Sequence, residues 1–443
     1  MRMYMVNMVL FKNNCSKIVI VIQSLLVIVI FAWYTRTDNA LLKHRLPTNR
    51  HELMNKSVHD QGINRFQTYK PNLTVSTSAP PRSHLSTKLD DYMSNRLASI
   101  RDTCSGYMQN PYWQNLHQGG RVWTYEQIHY CIVPKVGCTF WKRIMRFVSK
   151  DYPDNQNINK PSDIDRSYVH YGNIKNIRQW SVHNPVSQML MANGKSFMFV
   201  RNPFSRLWSA YIDKFLLPDF WRTDARAVVK KVRRNRPEYE DKCANNVTFH
   251  EFLLFINMTH KVGLNEHWDK IHRLCSPCHV QYDVIGRQES FGLDADYIMS
   301  KYNLEHLKEN VTKQDLVREE IVTITKYNFR LESSIQKGCF DKVDVAKRLW
   351  LTFQYNGYIH RDSKLPEDNL AIPEFFKTPT EIFLILVFQT LENQNKKGID
   401  LKGQKQSMML DEYRKIPERL ISDIATIYDY DFELFGYNRN VLR

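Results

Sequence analysis

Two stretches of the chain share one pattern, and that pattern limits the fold more than any other feature. Ile128-His-Tyr-Cys-Ile-Val133 is a short apolar run suited to a buried strand; Pro134-Lys-Val-Gly-Cys-Thr139 follows as a loop, and a helical period begins at Phe140. In that period Trp141, Ile144, Met145 and Val148 recur at i, i+3, i+4 and i+7, the spacing of one buried helix face. Lys142, Arg143 and Arg146 fall on the other face. Further on, Ser196-Phe-Met-Phe-Val200 reads as a second strand and Arg201-Asn-Pro203 as a second loop. The helix after it, Phe204 to Phe215, carries a stripe of Phe204, Leu207, Trp208, Tyr211 and Phe215. Asn202 is a capping residue type, and Pro203 suits a first helical turn. Strands that lead into helices in this order predict an α/β fold with a parallel sheet flanked by helices.

A loop between a buried strand and a helix start is a natural anion site, because free backbone N–H groups and the helix dipole face the ligand. In the first loop Lys135 adds a point charge and Thr139 a hydroxyl. Gly137 can take a positive φ and let the backbone approach an oxyanion. The sequence is not G-x-x-x-x-G-K-[ST], and an ordinary turn with a solvated lysine fits this loop alone equally well. The second unit shifts the balance. Arg201 sits at the carboxyl end of a strand, where open α/β sheets bind ligands, and Ser209 follows two helical turns on. Two anion sites on neighbouring units suit a nucleotide with phosphates at both ends. The net charge of +16, from 62 Lys+Arg against 46 Asp+Glu, agrees with an acidic partner but does not choose one. With 43% hydrophobic and 24% charged residues the chain is neither wholly disordered nor a multi-span membrane protein.

YCIVPKVGCTFWKRIM (Tyr130 to Met145) resembles the 5′-phosphosulfate loop of Golgi carbohydrate sulfotransferases, the group containing chondroitin 4-O- and HNK-1-type enzymes. FMFVRNPFSRLWSAYIDKF (Phe197 to Phe215) is similar to their 3′-phosphate motif, including the Arg-to-Ser spacing. LNEHW (264–268), LCSPCHVQYDVIGRQES (274–290) and YDYDFELFGY (428–437) resemble three further stretches in the same order. The resemblance implies a P-loop-like nucleotide-binding sheet and a carbohydrate O-sulfotransferase that uses 3′-phosphoadenosine 5′-phosphosulfate and no metal. Lys135, Val136, Gly137, Cys138 and Thr139 would cradle the 5′ side, Arg201 and Ser209 would hold the 3′-phosphate, and Lys135 would act on the leaving oxygen. The acceptor would be a sugar hydroxyl in an anionic or neutral glycan. Phe140 stands where many relatives carry a polar residue.

A base must take the acceptor's proton, and neutral histidine suits that task. His170, between the two nucleotide motifs, is the favoured candidate. His267 is the second, beside Glu266, which could orient it or itself serve. Cys138 lies in the anion loop and is expected to be a free thiol, because a disulfide there would constrain backbone the nucleotide needs. Cys275-Ser-Pro-Cys278 has no second C-x-x-C, so disulfides rather than zinc are expected. The run Lys230-Lys-Val-Arg-Arg-Asn-Arg236 reads either as a solvated helix face or as a grip on an anionic glycan.

Residues 18–34, IVIVIQSLLVIVIFAWY, form the one long apolar run near the N-terminus and would span about 26 Å as a helix. That is the short end for a bilayer and suits a thinner internal membrane. Arg2, Lys12 and Lys17 precede it, which predicts a cytosolic tail at 1–17, a signal-anchor at 18–34 and a lumenal bulk. Five lumenal N-x-S/T sequons, at Asn55, Asn72, Asn246, Asn257 and Asn310, agree with this. Residues 35–100 read as a polar stem and 101–443 as the catalytic domain, with 301–404 an insertion. The expected setting is therefore a type II protein of the Golgi membrane. A nucleic-acid partner would be on the wrong side of that membrane; the remaining alternative is a non-catalytic glycan-binding protein that kept the fold.

Overall fold

Five strands, β1 (Arg121–Tyr125), β2 (Ile128–Cys131), β3 (Arg178–Ser181), β4 (Lys195–Val200) and β5 (Val284–Arg287), pair in the order β3-β1-β2-β4-β5. They come from a computed structural model that describes residues 82–110, 112, 119–154, 157–233, 242–332 and 338–440. β2, β4 and β5 are parallel, with Tyr130 opposite Phe197 and Met198 opposite Ile285. β1 is antiparallel to both β2 and β3, so the sheet is mixed rather than wholly parallel. The cause is local. Glu126 takes φ 50° and closes β1 onto β2 in a two-residue turn, Glu126-Gln127. Such turns favour Asn-Gly or Asp-Gly, which this sequence lacks.

The first helix, α1 (Arg82–Tyr107), turns Met93, Arg96, Ile100 and Cys104 inward on one face. The expected domain boundary at residue 101 falls inside it. Arg96 donates from Nη1 to Asp294 Oδ2 at 2.6 Å and to the Ile285 carbonyl at 2.8 Å, and both side chains of the pair are buried. Asp294 also accepts the Arg287 backbone N–H at 2.6 Å. Cys104 bonds Cys278 and Cys131 bonds Cys275, so the C-x-x-C pair is divided between two bridges; Cys243 bonds Cys339. Cys138 is free, as its loop position predicted.

The two nucleotide-type units form as expected. α2 (Cys138–Val148) follows β2 and buries Trp141, Ile144 and Met145. Its other face is not solvated. Arg146 is fully buried and donates to the Asp151, Val169, Gly172 and Asn173 carbonyls. Lys142 lies over the Trp123 ring, and Arg143 pairs with Glu319 at 2.6 Å. α3 (Arg166–Tyr171) packs beside α2. α4 (Pro203–Tyr211) follows β4; Asn202 caps it by accepting the Phe204 and Ser205 N–H groups. α4 then widens into a π-turn at Ile212–Leu216.

The described residues between 301 and 404 are folded. α5 (Lys313–Glu332), α6 (Lys342–Tyr355) and α7 (Pro379–Lys396) enclose a third apolar cluster that includes Trp350, Phe353 and Phe383. α8 (Gln404–Tyr413), α9 (Glu418–Ile427) and α10 (Asp429–Leu434) follow, with Leu420 and Ile424 of α9 buried. Among the described residues no helix is long and apolar enough to cross a membrane. The apolar run 18–34, the tail before it and the stem to residue 81 lie outside them.

Removing one partner of a buried ion pair costs about 3–5 kcal/mol. Arg96→Ala is expected to lose about that much stability, read as a lower midpoint in urea unfolding. A midpoint equal to wild type would mean that α1 is not part of the packed domain.

Candidate active site

The loops that leave the carboxyl ends of β2 and β4 open onto one cavity of about 550 Å³. Lys135, Gly137, Cys138, Thr139, Arg201 and Ser209 line it, and so do His170 and His267. Val136 does not; its side chain is fully buried in the sheet core, which leaves only its backbone for a ligand.

The first loop turns through two left-handed residues, Lys135 at φ 72° and Gly137 at φ 81°. Gly137 is fixed twice over. It is the N-cap of α2, and a Cβ built on it would stand 2.2 Å from the Phe291 ring. Glycine therefore admits Phe291 as well as the positive φ. The first amides of α2 have no intrahelical partner, as at any helix start.

The two loops are bonded directly. Arg201 donates from Nη1 to the Lys135 carbonyl at 3.0 Å and from Nε to Ser205 Oγ at 2.9 Å. Burial is the chief reason its pKa falls to about 10, against the pull of Glu289. Arg206, one turn further along α4, is buried and reaches three carbonyls: Pro134 at 3.1 Å, Glu266 at 2.8 Å, and Asp269.

Asp213 had no place in the sequence reading, yet it is the electrostatic centre of the cavity. The π-turn brings both Asp213 and Lys214 to the cavity wall. Turns of this kind occur often at functional sites, and nothing in the residues Ile212-Asp-Lys214 announces one. Lys135 Nζ lies 2.8 Å from Asp213 Oδ2, Lys214 Nζ 3.5 Å from the same oxygen, and Arg166 Nη2 3.7 Å from Oδ1. Burial alone would raise the Asp213 pKa; the three cations outweigh it and hold the carboxyl well below its usual range. Burial in turn lowers the Lys135 pKa against the attraction of Asp213.

Both candidate histidines are held neutral. Burial, then Lys142, Arg166 and Lys214, pushes His170 down to about 2; burial and Lys214 push His267 well below its ordinary value. Their hydrogen bonds differ. His170 Nε2 is engaged with Thr139 Oγ1 at 3.0 Å. Asn265 Oδ1 accepts the His267 backbone N–H at 3.0 Å and stands 2.8 Å from Nδ1, while Asn265 Nδ2 donates to Asp224. That orientation puts the proton on Nδ1 and leaves the Nε2 lone pair of His267 open. Glu266 neither orients His267 nor stands free, because Arg121 holds both its oxygens at 3.0 and 3.1 Å.

In the basic cluster, Lys230 and Lys231 are exposed at a helix end and Arg233 pairs with Glu251 at 2.6 Å; residues 234–236 lie outside the described residues.

Residues 122–360, more than half of the chain, match the profile of a group described as the sulfotransferase family. Over 241 residues the chain is 30% identical to carbohydrate sulfotransferase 11 of Mus musculus and 32% identical to that of Rattus norvegicus, covering 52% of this chain and 65% of each relative. It is 33% identical to carbohydrate sulfotransferase 8 of Mus musculus over 225 residues, 48% of this chain and 50% of that protein. The matches thus span less than two thirds of the length of these relatives. No solved structure matches. With this match over more than half of its length, and with the loops after β2 and β4 facing one cavity, the chain belongs to the sulfotransferase family.

Proposed function

We propose that this chain transfers a sulfuryl group from 3′-phosphoadenosine 5′-phosphosulfate to a sugar hydroxyl of a glycan of the chondroitin, dermatan or N-acetylgalactosamine- or glucuronate-containing type. One observation carries the reading: Lys135 and Arg201, from separate strand–helix units, face one cavity and are joined through the Lys135 carbonyl. The donor supplies a sulfuryl group on a phosphate leaving group. The acceptor oxygen bonds sulfur as the sulfur–oxygen bond to that phosphate breaks, and positioning and charge stabilisation dominate such transfers.

The residues divide the work accordingly. Lys135, with the backbone from Val136 to Thr139, holds the 5′ end and stabilises negative charge on the leaving oxygen. Asp213 keeps the Lys135 ammonium in place at 2.8 Å. Arg201 and Ser209 hold the 3′-phosphate. His267 takes the acceptor's proton through its open Nε2, while His170 fixes the Thr139 hydroxyl. Sequence order favoured His170 as the base; the hydrogen bonds favour His267. The cations that depress both histidines are those an anionic nucleotide neutralises, so either ring becomes a better base once the donor is bound.

The domain works in the Golgi lumen behind a signal-anchor at 18–34. Three disulfides suit an oxidising compartment, and the sequon residues Asn246 and Asn310 are exposed.

Labelled sulfate is expected to pass from the donor to at least one of chondroitin, dermatan or N-glycan acceptors. Lys135→Ala and Arg201→Ala should each lower incorporation by about a hundred-fold or more. Nucleotide binding without transfer to any acceptor would favour the glycan-binding alternative.

His267→Ala is expected to lower kcat by about 10² to 10⁴ while nucleotide affinity stays near wild type. Turnover close to normal would remove His267 from the role.

In the free enzyme both histidines stay neutral near pH 6.5, since burial and the neighbouring cations push His170 down to about 2 and His267 well below its ordinary value. A plot of kcat/KM against pH should therefore show no inflection near pH 6.5. A fall in activity centred there would contradict neutral histidines in the free site.

A further inference from the structure

The charges around the cavity are divided unevenly. At the 5′ end Lys135 and Lys214 are paired with Asp213, Lys214 also with Asp219, and Arg166 with Asp213, while Lys142 lies over the Trp123 ring. At the other end Arg201 forms no ion pair among the described residues; Glu289, the carboxylate that attracts it, accepts the Asn202 N–H at 2.9 Å and the Tyr437 hydroxyl at 2.8 Å. Ser209 exposes a hydroxyl with no hydrogen bond among the described residues.

A second cation without an ion pair among the described residues lines the cavity, and α8, which carries it, is seated on the start of α4 through the Tyr413 hydroxyl, which donates to the Phe204 carbonyl at 2.8 Å. Lys405 is the second residue of α8, and Gly357, just after α6, comes against its backbone. Its side chain is open to the cavity and has no ion pair among the described residues. Glu320 attracts it from a carboxylate that also interacts with the Tyr358 hydroxyl. The surrounding walls, then the repulsion of Arg201 and of Lys135, bring the Lys405 pKa down to about 8. Cations that repel one another are costly to hold together, and a bound dianion removes that cost.

We propose that Lys405 is a third ligand of the terminal phosphate, acting with Arg201 and Ser209, and that these three select a nucleotide bearing a phosphomonoester at that end over one lacking it. The inference rests on the nucleotide reading above. A phosphomonoester carries about −1.5 to −2 charges at neutral pH, which matches two unpaired cations. The paired 5′ end matches a group whose charge develops during reaction. Lys405 lies beyond the 122–360 span of the family match, so the C-terminal helices help to build the donor site.

The test is calorimetric titration of the full chain with adenosine 3′,5′-bisphosphate and, separately, adenosine 5′-monophosphate. Wild type should bind the bisphosphate more tightly. Lys405→Met should weaken the bisphosphate by about ten- to a hundred-fold, as expected for a lost charge-assisted hydrogen bond, and leave the 5′-monophosphate within about two-fold. Lys405→Arg should recover most of the loss, and unfolding midpoints of both variants should equal that of wild type. An unchanged bisphosphate affinity, or an equal fall for both nucleotides, would overturn the role of Lys405 while leaving the nucleotide reading intact. Binding of neither nucleotide by wild type would instead remove the reading on which the role depends.

Discussion

The site depends on one buried guanidinium. Arg206 leaves the first turns of α4 and gives its donors to the carbonyls of Pro134, Glu266 and Asp269. Those carbonyls belong to the loop that holds Lys135 and to the stretch on either side of His267. Two segments far apart in sequence are thus tied to one helix, and Asn202 and Pro203 fix where that helix starts. Burial lowers the Arg206 pKa, yet no carboxylate pairs with it. Charged donors to neutral carbonyls give strong, directional bonds, so the cation acts here as a geometric clamp. The placing of the Lys135 loop relative to the His267 segment follows from it.

Asp213 solves a different problem. A cavity meant for a polyanion must gather cations, and cations in a partly buried cavity repel one another. Lys135, Lys214 and Arg166 gather around one carboxylate, with Asp219 also on Lys214, whereas Arg201 and Lys405 have no ion pair among the described residues. The same field acts on the histidines: Lys214 lowers both rings, and Lys142 and Arg166 also lower His170. An anion bound among these cations would therefore raise the pKa of both rings.

What the sequence discloses follows from how local each feature is. The two strand–loop–helix units, the Asn202 cap, the positive φ of Gly137 and the free Cys138 all depend on neighbours within a few residues, and each was legible. The misses are long-range. Lys142 and Arg146 occupy the polar face of α2, but β1 and α3 cover that face, and the Trp123 and Tyr168 rings with backbone carbonyls replace water. Periodicity gives the faces of a helix and not what is laid against them. Asp213 was hidden because its place depends on the helix widening by one residue in its turn, and Glu126 because a left-handed glutamate carries no compositional mark. The polar-looking start of α1 concealed a face anchored by Arg96, since a buried arginine and an exposed one look the same in sequence.

The C-terminal motif shows why residues far from any chemistry can resemble a family of enzymes. Asp431 reaches from α10 to the short helix Ile271–Cys275 and accepts the Ile271 and His272 N–H groups at 2.6 and 2.9 Å, with His272 Nδ1 at 2.7 Å. Lys270, the residue at that helix start, provides no side-chain cap, so the carboxylate supplies one from 160 residues away. Tyr428 bonds the Trp268 carbonyl, next to His267. Cys275, at the end of the same short helix, is tied to Cys131 at the end of β2. The segment carrying His267 is therefore held at one side by Arg206 and at the other by the last turns of the chain. Its imidazole keeps its place in the cavity wall only if both hold, and a cap, a tyrosine and a disulfide away from the cavity set that place.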